Sequence, residues 1–256
     1  MKTGWLSAAG RLLAMVLVAT LALQLYFLGR VALMRVLDPA STTFQRSEAW
    51  RIVRERHGLA WTQQWVDGAR LGNELKRAVV ASEDAGFTDH FGVEWDAIEK
   101  AWNRNQKAEA RVEAATGRAG GGGSTAATRP RIAAKVVGGS TISQQLAKNL
   151  FLSGERTVLR KAQEFAITLM LEVVLGKRRI LDVYLNHVEW GEGVFGAQAA
   201  ARHYFHLDAA QLSAFQAARL AVMLPAPKRF EKQPASPYVL GRAATIVARM
   251  GAVDLP

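Results

Sequence analysis

The first long feature of the apolar pattern is a run without charge, LLAMVLVATLALQLYFLG, from Leu12 to Gly29. Crossing a bilayer core takes roughly 20 apolar residues at about 1.5 Å each. Val31 to Met34 lengthen the run, and Arg30 can snorkel its charge to the interface. A cleaved signal peptide has a shorter apolar region, about 7–15 residues, closed by a small-x-small site. This run is longer and no good site follows, so residues 12–34 are expected to be an uncleaved anchor. Residues 1–11 then form a short N-terminal flank and 35–44 a juxtamembrane linker. Lys2 and Arg11 precede the run, while Arg30 and Arg35 follow it, so charge bias orients it only weakly.

Past the linker the apolar spacing becomes helical. In NELKRAVVASED, Leu75, Val79 and Glu83 fall at i, i+4 and i+8 on one stripe, with Asn73 as the expected N-cap. Glu83 therefore sits on the buried face near a helix end. Desolvation there raises a carboxyl pKa and makes a better proton acceptor. The bland alternative is a frayed terminal acid in solvent. In GGSTISQQLAKN, Ser140 is a candidate N-cap. Thr141, Gln145 and Lys148 form a polar stripe, and Ile142, Leu146 and Leu150 an apolar one. TVLRKAQEFAITLMLEVVLGKRRILDVYLN reads as two helices broken near Gly176. GVFGAQAAARHYF suits tight helix packing, and LSAFQAARLAVMLPAPKRF reads as a helix stopped by Pro225 and Pro227. No period-2 alternation stands out, so the expected class is mainly α.

One segment breaks the pattern. Residues 105–131 are rich in Gly, Ala, Thr and Arg and lack apolar periodicity, which marks a flexible insertion. Trp95 and Trp102 precede it and basic residues run through it, a mixture that suits lipid head groups.

Composition narrows the partners. With 256 residues and 50% apolar content the chain can build one sizeable core. A formal charge of +11 suggests a polyanionic partner. The absence of cysteine excludes disulfides and thiolate zinc sites. A nucleic-acid role fits the charge alone; the anchor and the lack of a base-reading motif argue against it.

Singly, the chemical motifs are ordinary. A helical glutamate is common, His90 alone suits a structural hydrogen bond, and Arg160 with Glu164 at i, i+4 reads as a surface pair worth about 0.3–0.5 kcal/mol. The GxxG at Gly193 and Gly196 suits helix packing. In order they are not ordinary. EDAGFTDHFG fits E-D-x-x-F-x-x-H-x-G, GGSTISQQLAKN fits G-G-S-T-x-x-Q-Q-x-x-K-N, and RKAQE fits R-K-x-x-E. KRRILDVYLN and GVFGAQAAARHYF complete five ordered motifs. From about residue 45 to 250 the chain resembles the family 51 peptidoglycan glycosyltransferases, shared with class A penicillin-binding proteins. It resembles the monofunctional biosynthetic branch, since no penicillin-binding domain follows.

The resemblance implies a lysozyme-like α domain over residues 45–256 with a small membrane-contacting lobe. It implies a cytoplasmic N-terminus and a catalytic domain on the periplasmic side of a bacterial inner membrane. The implied reaction polymerises lipid II into β-1,4-linked glycan with inversion, releasing undecaprenyl diphosphate. Glu83 would be the general base. Lys148, Arg160 and Lys161, with Thr141, Gln144 and Gln145, would hold the pyrophosphate. Glu164, the second motif glutamate, would organise the basic cluster. Asp84, Phe87, His90, Gly92, Ser140 and Asn149 would position the site. Mg²⁺ or Mn²⁺ bridging Glu164 and the pyrophosphate is left open, and no protein-only metal site is visible. Implied partners are lipid II, the growing strand, anionic membrane lipids and other wall-synthesis or division proteins, with no nucleic acid.

Two positions depart from the family pattern: Asp182 where Glu is usual, and Gln216 where Glu is frequent. Two rivals keep the same sequence features. A lysozyme-like lytic enzyme would need an acid protonating a sugar oxygen, whereas the basic cluster suits a phosphate leaving group. A non-enzymatic wall scaffold would make Glu83 dispensable.

Overall fold

The computed structural model describes residues 2–95, 99, 106, 140–155 and 157–256. It divides into two units: residues 1–92 with 142–256, and residues 93–141. Nearly all of the 105–131 insertion, and Trp102, lie outside the described residues.

In the larger unit, α1 (Lys2–Leu33) contains the apolar span Ala8–Leu33, and α2 (Thr43–Arg56) follows a short linker. The remaining elements are β1 (Thr62–Gln63), α3 (Asn73–Glu83), α4 (Ile142–Phe151), α5 (Val158–His187), β2 (Glu189–Gly191), β3 (Val194–Phe195), α6 (Ala197–Phe205), α7 (Ala214–Met223), α8 (Pro227–Phe230) and α9 (Pro237–Met250). The mainly helical expectation holds. The sequence pattern missed α9 and a small sheet of order β1-β3-β2, whose strands are too short to show alternation.

Local sequence explains most boundaries. Thr42 and Gln45 form a capping box that starts α2, satisfying amides the first turn leaves orphaned. Ser213 and Gln216 do the same for α7. Gln216 thus fills a role Glu also fills, which gives its departure from the family pattern a physical account. Pro227 opens α8 rather than merely ending α7. Gly176, at φ 72° and ψ 166°, breaks α5 into two helical segments as expected.

Three expectations are corrected. Asn73 is the first residue of α3, and Gly72 at φ 78° precedes it without any side-chain cap. The α4 helix starts at Ile142, and its first amide is held by the Asp84 carboxylate at 3.0 Å, a long-range partner that replaces the Ser140 cap. Gly193 and Gly196 are not helix-packing residues. They flank β3 with φ of 75° and 83°, and a Cβ on Gly193 would lie 2.0 Å from the Ala60 carbonyl oxygen.

The core gathers the apolar stripes. Leu75 and Val79 of α3 are fully buried, and α3 packs on α7 and α9. Ile142, Leu146 and Leu150 turn α4 onto α5. Burying each such side chain contributes about 1.5–3 kcal/mol. Trp190 is buried, with its indole N–H donated to the Leu220 carbonyl at 3.0 Å. The last third of α1, with Met34 just after it, also docks here. Val31 and Met34 are buried, Phe27 meets Phe151 edge-to-face, and Gln24 and Gln163 exchange amide hydrogen bonds of 2.8 and 3.1 Å.

Candidate active site

Glu83 is the last residue of α3, one stripe position beyond Leu75 and Val79. Burial, and secondarily the neighbouring Asp84 charge, pushes its carboxyl pKa up. Against this, the Gln145 side-chain amide donates to Glu83 Oε2 at 2.9 Å and favours the charged form. Glu83 is therefore not a frayed solvent acid. The Gln145 carbonyl accepts from the Tyr184 hydroxyl at 3.0 Å. Tyr184 is buried, and desolvation raises its pKa well above the ordinary value. It stays protonated and must donate, which fixes the Gln145 amide with its NH₂ toward Glu83. Tyr184 was missed among the candidate residues, although the fourth motif, ILDVYLN, contained it.

Asp84 turns the other way. Its Oδ1 meets His90 Nε2 at 2.8 Å and its Oδ2 takes the Ile142 amide. One carboxylate thus joins the end of α3, the His90 loop and the start of α4, where the helix dipole favours negative charge. Phe87 is fully buried, with the Lys177 ammonium 4.5 Å from its ring centroid. Gly92 has φ 76°, and a Cβ there would lie 2.7 Å from Thr168 Cγ2 and 2.9 Å from Glu172 Cγ. Glycine is the residue that fits both the backbone and the space.

Glu164, Thr168 and Glu172 repeat every fourth residue, so they share one face of α5. Glu172 accepts from Ser143 Oγ at 2.5 Å and from Lys177 at 2.8 Å, tying that face to α4. Glu164 is only 3% exposed. Arg160 reaches its Oε2 at 2.7 Å and Lys161 its Oε1. Burial of Glu164 and most of Arg160 removes the surface-pair reading for that pair, because screening is weak there, while Lys161 is half exposed. Two cations against one carboxylate leave net positive charge, and Arg160 Nε is buried without a hydrogen-bond partner among the described residues. That is the electrostatics of an anion site.

Lys148 is exposed on α4, three residues after Gln145 and so on the same face as the amide that holds Glu83. Gln144 is buried and Asn149 half-buried on the same helix. Ser140 and Thr141 fall in the smaller unit, residues 93–141; Thr141 is buried and Ser140 exposed. No group of three or more His, Asp or Glu able to hold a metal occurs among the described residues. Both Glu164 oxygens already face cations, a donor set that repels rather than invites Mg²⁺ or Mn²⁺.

The order of these elements has a match. A family profile described as transglycosylase aligns with residues 52–129 and 124–251, spanning both glutamates and the basic cluster. The chain belongs to the transglycosylase family. A biosynthetic peptidoglycan transglycosylase of Burkholderia thailandensis is 47% identical over 252 residues, 98% of this chain and 88% of the relative. Another of Paraburkholderia xenovorans is 45% identical over 243 residues, 95% of this chain and 91% of the relative. A third, of Burkholderia lata, is 45% identical over 254 residues, 99% of this chain and 93% of the relative. Within that family frame, Glu83 with Gln145 and Tyr184, and Glu164 with Arg160 and Lys161, are the polar clusters that the conformation of α3, α4 and α5 builds.

Proposed function

We infer that this transglycosylase polymerises lipid II into β-1,4-linked glycan strands for the cell wall, with inversion and release of undecaprenyl diphosphate. The observation that carries the residue assignment is the desolvated Glu83 carboxylate held by Gln145. Glu83 is the general base. It takes the proton from the acceptor 4-hydroxyl as that oxygen attacks the anomeric carbon. The new C–O bond forms while the bond to the diphosphate breaks, so no covalent enzyme intermediate arises. Proton removal of this kind contributes about 10²–10⁴-fold. The departing diphosphate gains charge, and Arg160, Lys161 and Lys148 offset it, Arg160 through its unpartnered Nε. Glu164 holds Arg160 and Lys161 in place. No step is routed through a metal.

α1 is compatible with a membrane anchor: its span is 26 residues with mean hydropathy 2.2. The reading places the N-terminus in the cytoplasm and the catalytic unit on the periplasmic face of the inner membrane. That side agrees with the lipid-linked substrate and the wall product. The lytic and scaffold readings gain no support from the site, because an anion-binding cluster serves neither.

The decisive experiment is lipid II polymerisation by the full chain and by Glu83→Gln, an isosteric change that removes the base. The variant should lose at least about 100-fold in turnover while its unfolding transition stays in place. Retained turnover removes Glu83 from the chemistry. Cleavage of finished glycan strands by the wild type, without polymerisation, replaces the reaction itself.

A further inference from the structure

At the end of the anchor a cavity of about 190 Å³ opens to the surface. Arg30, Leu33, Met34, Leu37, Asp38, Pro39 and Arg46 are among the residues around it. Its charge is one-sided. Arg46 is held by neutral oxygens, at 3.1 Å from Ser41 Oγ and 3.0 Å from Thr43 Oγ1. Arg30 donates to the Tyr26 hydroxyl at 2.9 Å and lies over the Tyr26 and Phe151 rings. Neither arginine pairs with a carboxylate among the described residues. The one carboxylate in the wall, Asp38, is already neutralised by Arg179 at 2.7 Å. Apart from Ser41, the rest of the wall is apolar. Two uncompensated guanidinium groups above Leu33, Met34, Leu37 and Pro39 make an amphipathic receptor: phosphate at one end, hydrocarbon at the other.

Depth fixes the ligand class. The span Ala8–Leu33 has 26 residues, and a bilayer core needs roughly 20. The last few residues, Arg30 included, therefore stand at head-group level. The cavity is smaller than the roughly 300–1,000 Å³ of a pocket that encloses a drug-sized molecule. It suits a phosphate group whose tails remain in the bilayer, not a saccharide.

We propose that this cavity binds the phosphate of an anionic glycerophospholipid through Arg30 and Arg46, clamping the anchor end to the catalytic unit. The proposal rests on α1 lying in a membrane, as the transglycosylase reading has it. It also accounts for Arg30, one of the two arginines that weaken the charge bias seen in the sequence: Arg30 serves a binding site rather than topology.

The test uses the full-length protein in neutral detergent, titrated with phosphatidylglycerol or phosphatidylcholine of matched chains and read by native mass spectrometry. Inorganic pyrophosphate is the competing probe. Phosphatidylglycerol should bind in preference to phosphatidylcholine. Arg30→Gln and Arg46→Gln should each weaken it roughly tenfold, the scale of one charged hydrogen bond. Arg35→Gln, an equal charge change at an exposed residue outside the cavity, should leave affinity in place. Ala40→Trp, which fills the cavity without altering charge, should abolish binding, and it guards against misreading a fold defect in an arginine variant. Equal losses in Arg35→Gln and Arg46→Gln overturn the site in favour of diffuse electrostatics. Displacement of the lipid by equimolar pyrophosphate overturns the phospholipid assignment in favour of a free-phosphate site. Lipid II polymerisation on the same samples separates the readings: intact lipid binding without polymerisation sinks the catalytic reading and leaves the site standing.

Discussion

Replacing Gln145 with Leu should shift the acid limb of the polymerisation rate profile to higher pH. In the folded protein the Gln145 amide is the contact that favours ionised Glu83, while burial and the Asp84 charge oppose ionisation. A hydrogen bond to a charged group is worth about 1.5–3 kcal/mol. One pH unit corresponds to about 1.4 kcal/mol, so the limb should move by about one to two units. The sign follows from the role: a base must be unprotonated, and losing a donor to its charged form makes protonation easier. At neutral pH kcat/KM falls, and at alkaline pH much of it returns. Leu keeps most of the side-chain volume, so α4 should hold its seat on α5. Tyr184→Phe should move the limb the same way by less, because it frees the Gln145 amide to rotate without removing it. The assay is the initial rate of lipid II polymerisation across pH for the wild type and both variants. An unmoved limb in Gln145→Leu, or one displaced to lower pH, refutes the assignment of Glu83 as the titrating base.

Three other outcomes test the frame around the site. Gly92→Ala should lose about 1–2 kcal/mol to left-handed backbone strain and a further ~1–3 kcal/mol to overpacking against Thr168 and Glu172; denaturant unfolding within about 0.5 kcal/mol of wild type would contradict this. Glu189 is buried, and desolvation outweighs Lys228 to lift its pKa from 4.5 to about 7. The folded state then holds a proton the unfolded chain releases, so stability falls as pH rises from about 4.5 to 7 and is level above, by at most about 3 kcal/mol. Glu189→Gln should flatten that slope, and a variant that keeps the full slope places the titration elsewhere. Gln24→Leu and Gln163→Leu, combined in a double-mutant cycle on detergent unfolding, should show a coupling of about 0.6–2 kcal/mol; strict additivity would make the anchor contact incidental.

What the sequence made legible was periodic. Leu75, Val79 and Glu83 share a stripe because α3 is one uninterrupted helix, and four-residue spacing survives any tertiary context. The break at Gly176 was legible because glycine alone tolerates φ 72° there without strain. What failed was local reasoning about ends. Asn73 and Ser140 look like caps by residue type, yet a cap depends on where the chain turns, and each helix starts one residue from the expected place. The start of α4 could not have been read locally at all. Its first amide is held by Asp84, 58 positions earlier, across a segment that carries no periodic signal.

The same reason explains why Tyr184 went unseen. A tyrosine in ILDVYLN has every mark of a core residue, and it is one: it is buried with only its hydroxyl committed. Its consequence for chemistry appears only when α5 lays that hydroxyl against Gln145 and Gln145 reaches Glu83. Each link alone is bland. Their direction is not, because a buried phenol cannot ionise and must donate, an amide that accepts at its oxygen must present its NH₂ outward, and the carboxylate at the end receives it. The polarity of the contact to Glu83 is thus set from Tyr184 through Gln145, so, with Glu83 as the proposed base, substitutions at Tyr184 should alter the pH dependence of catalysis without touching substrate.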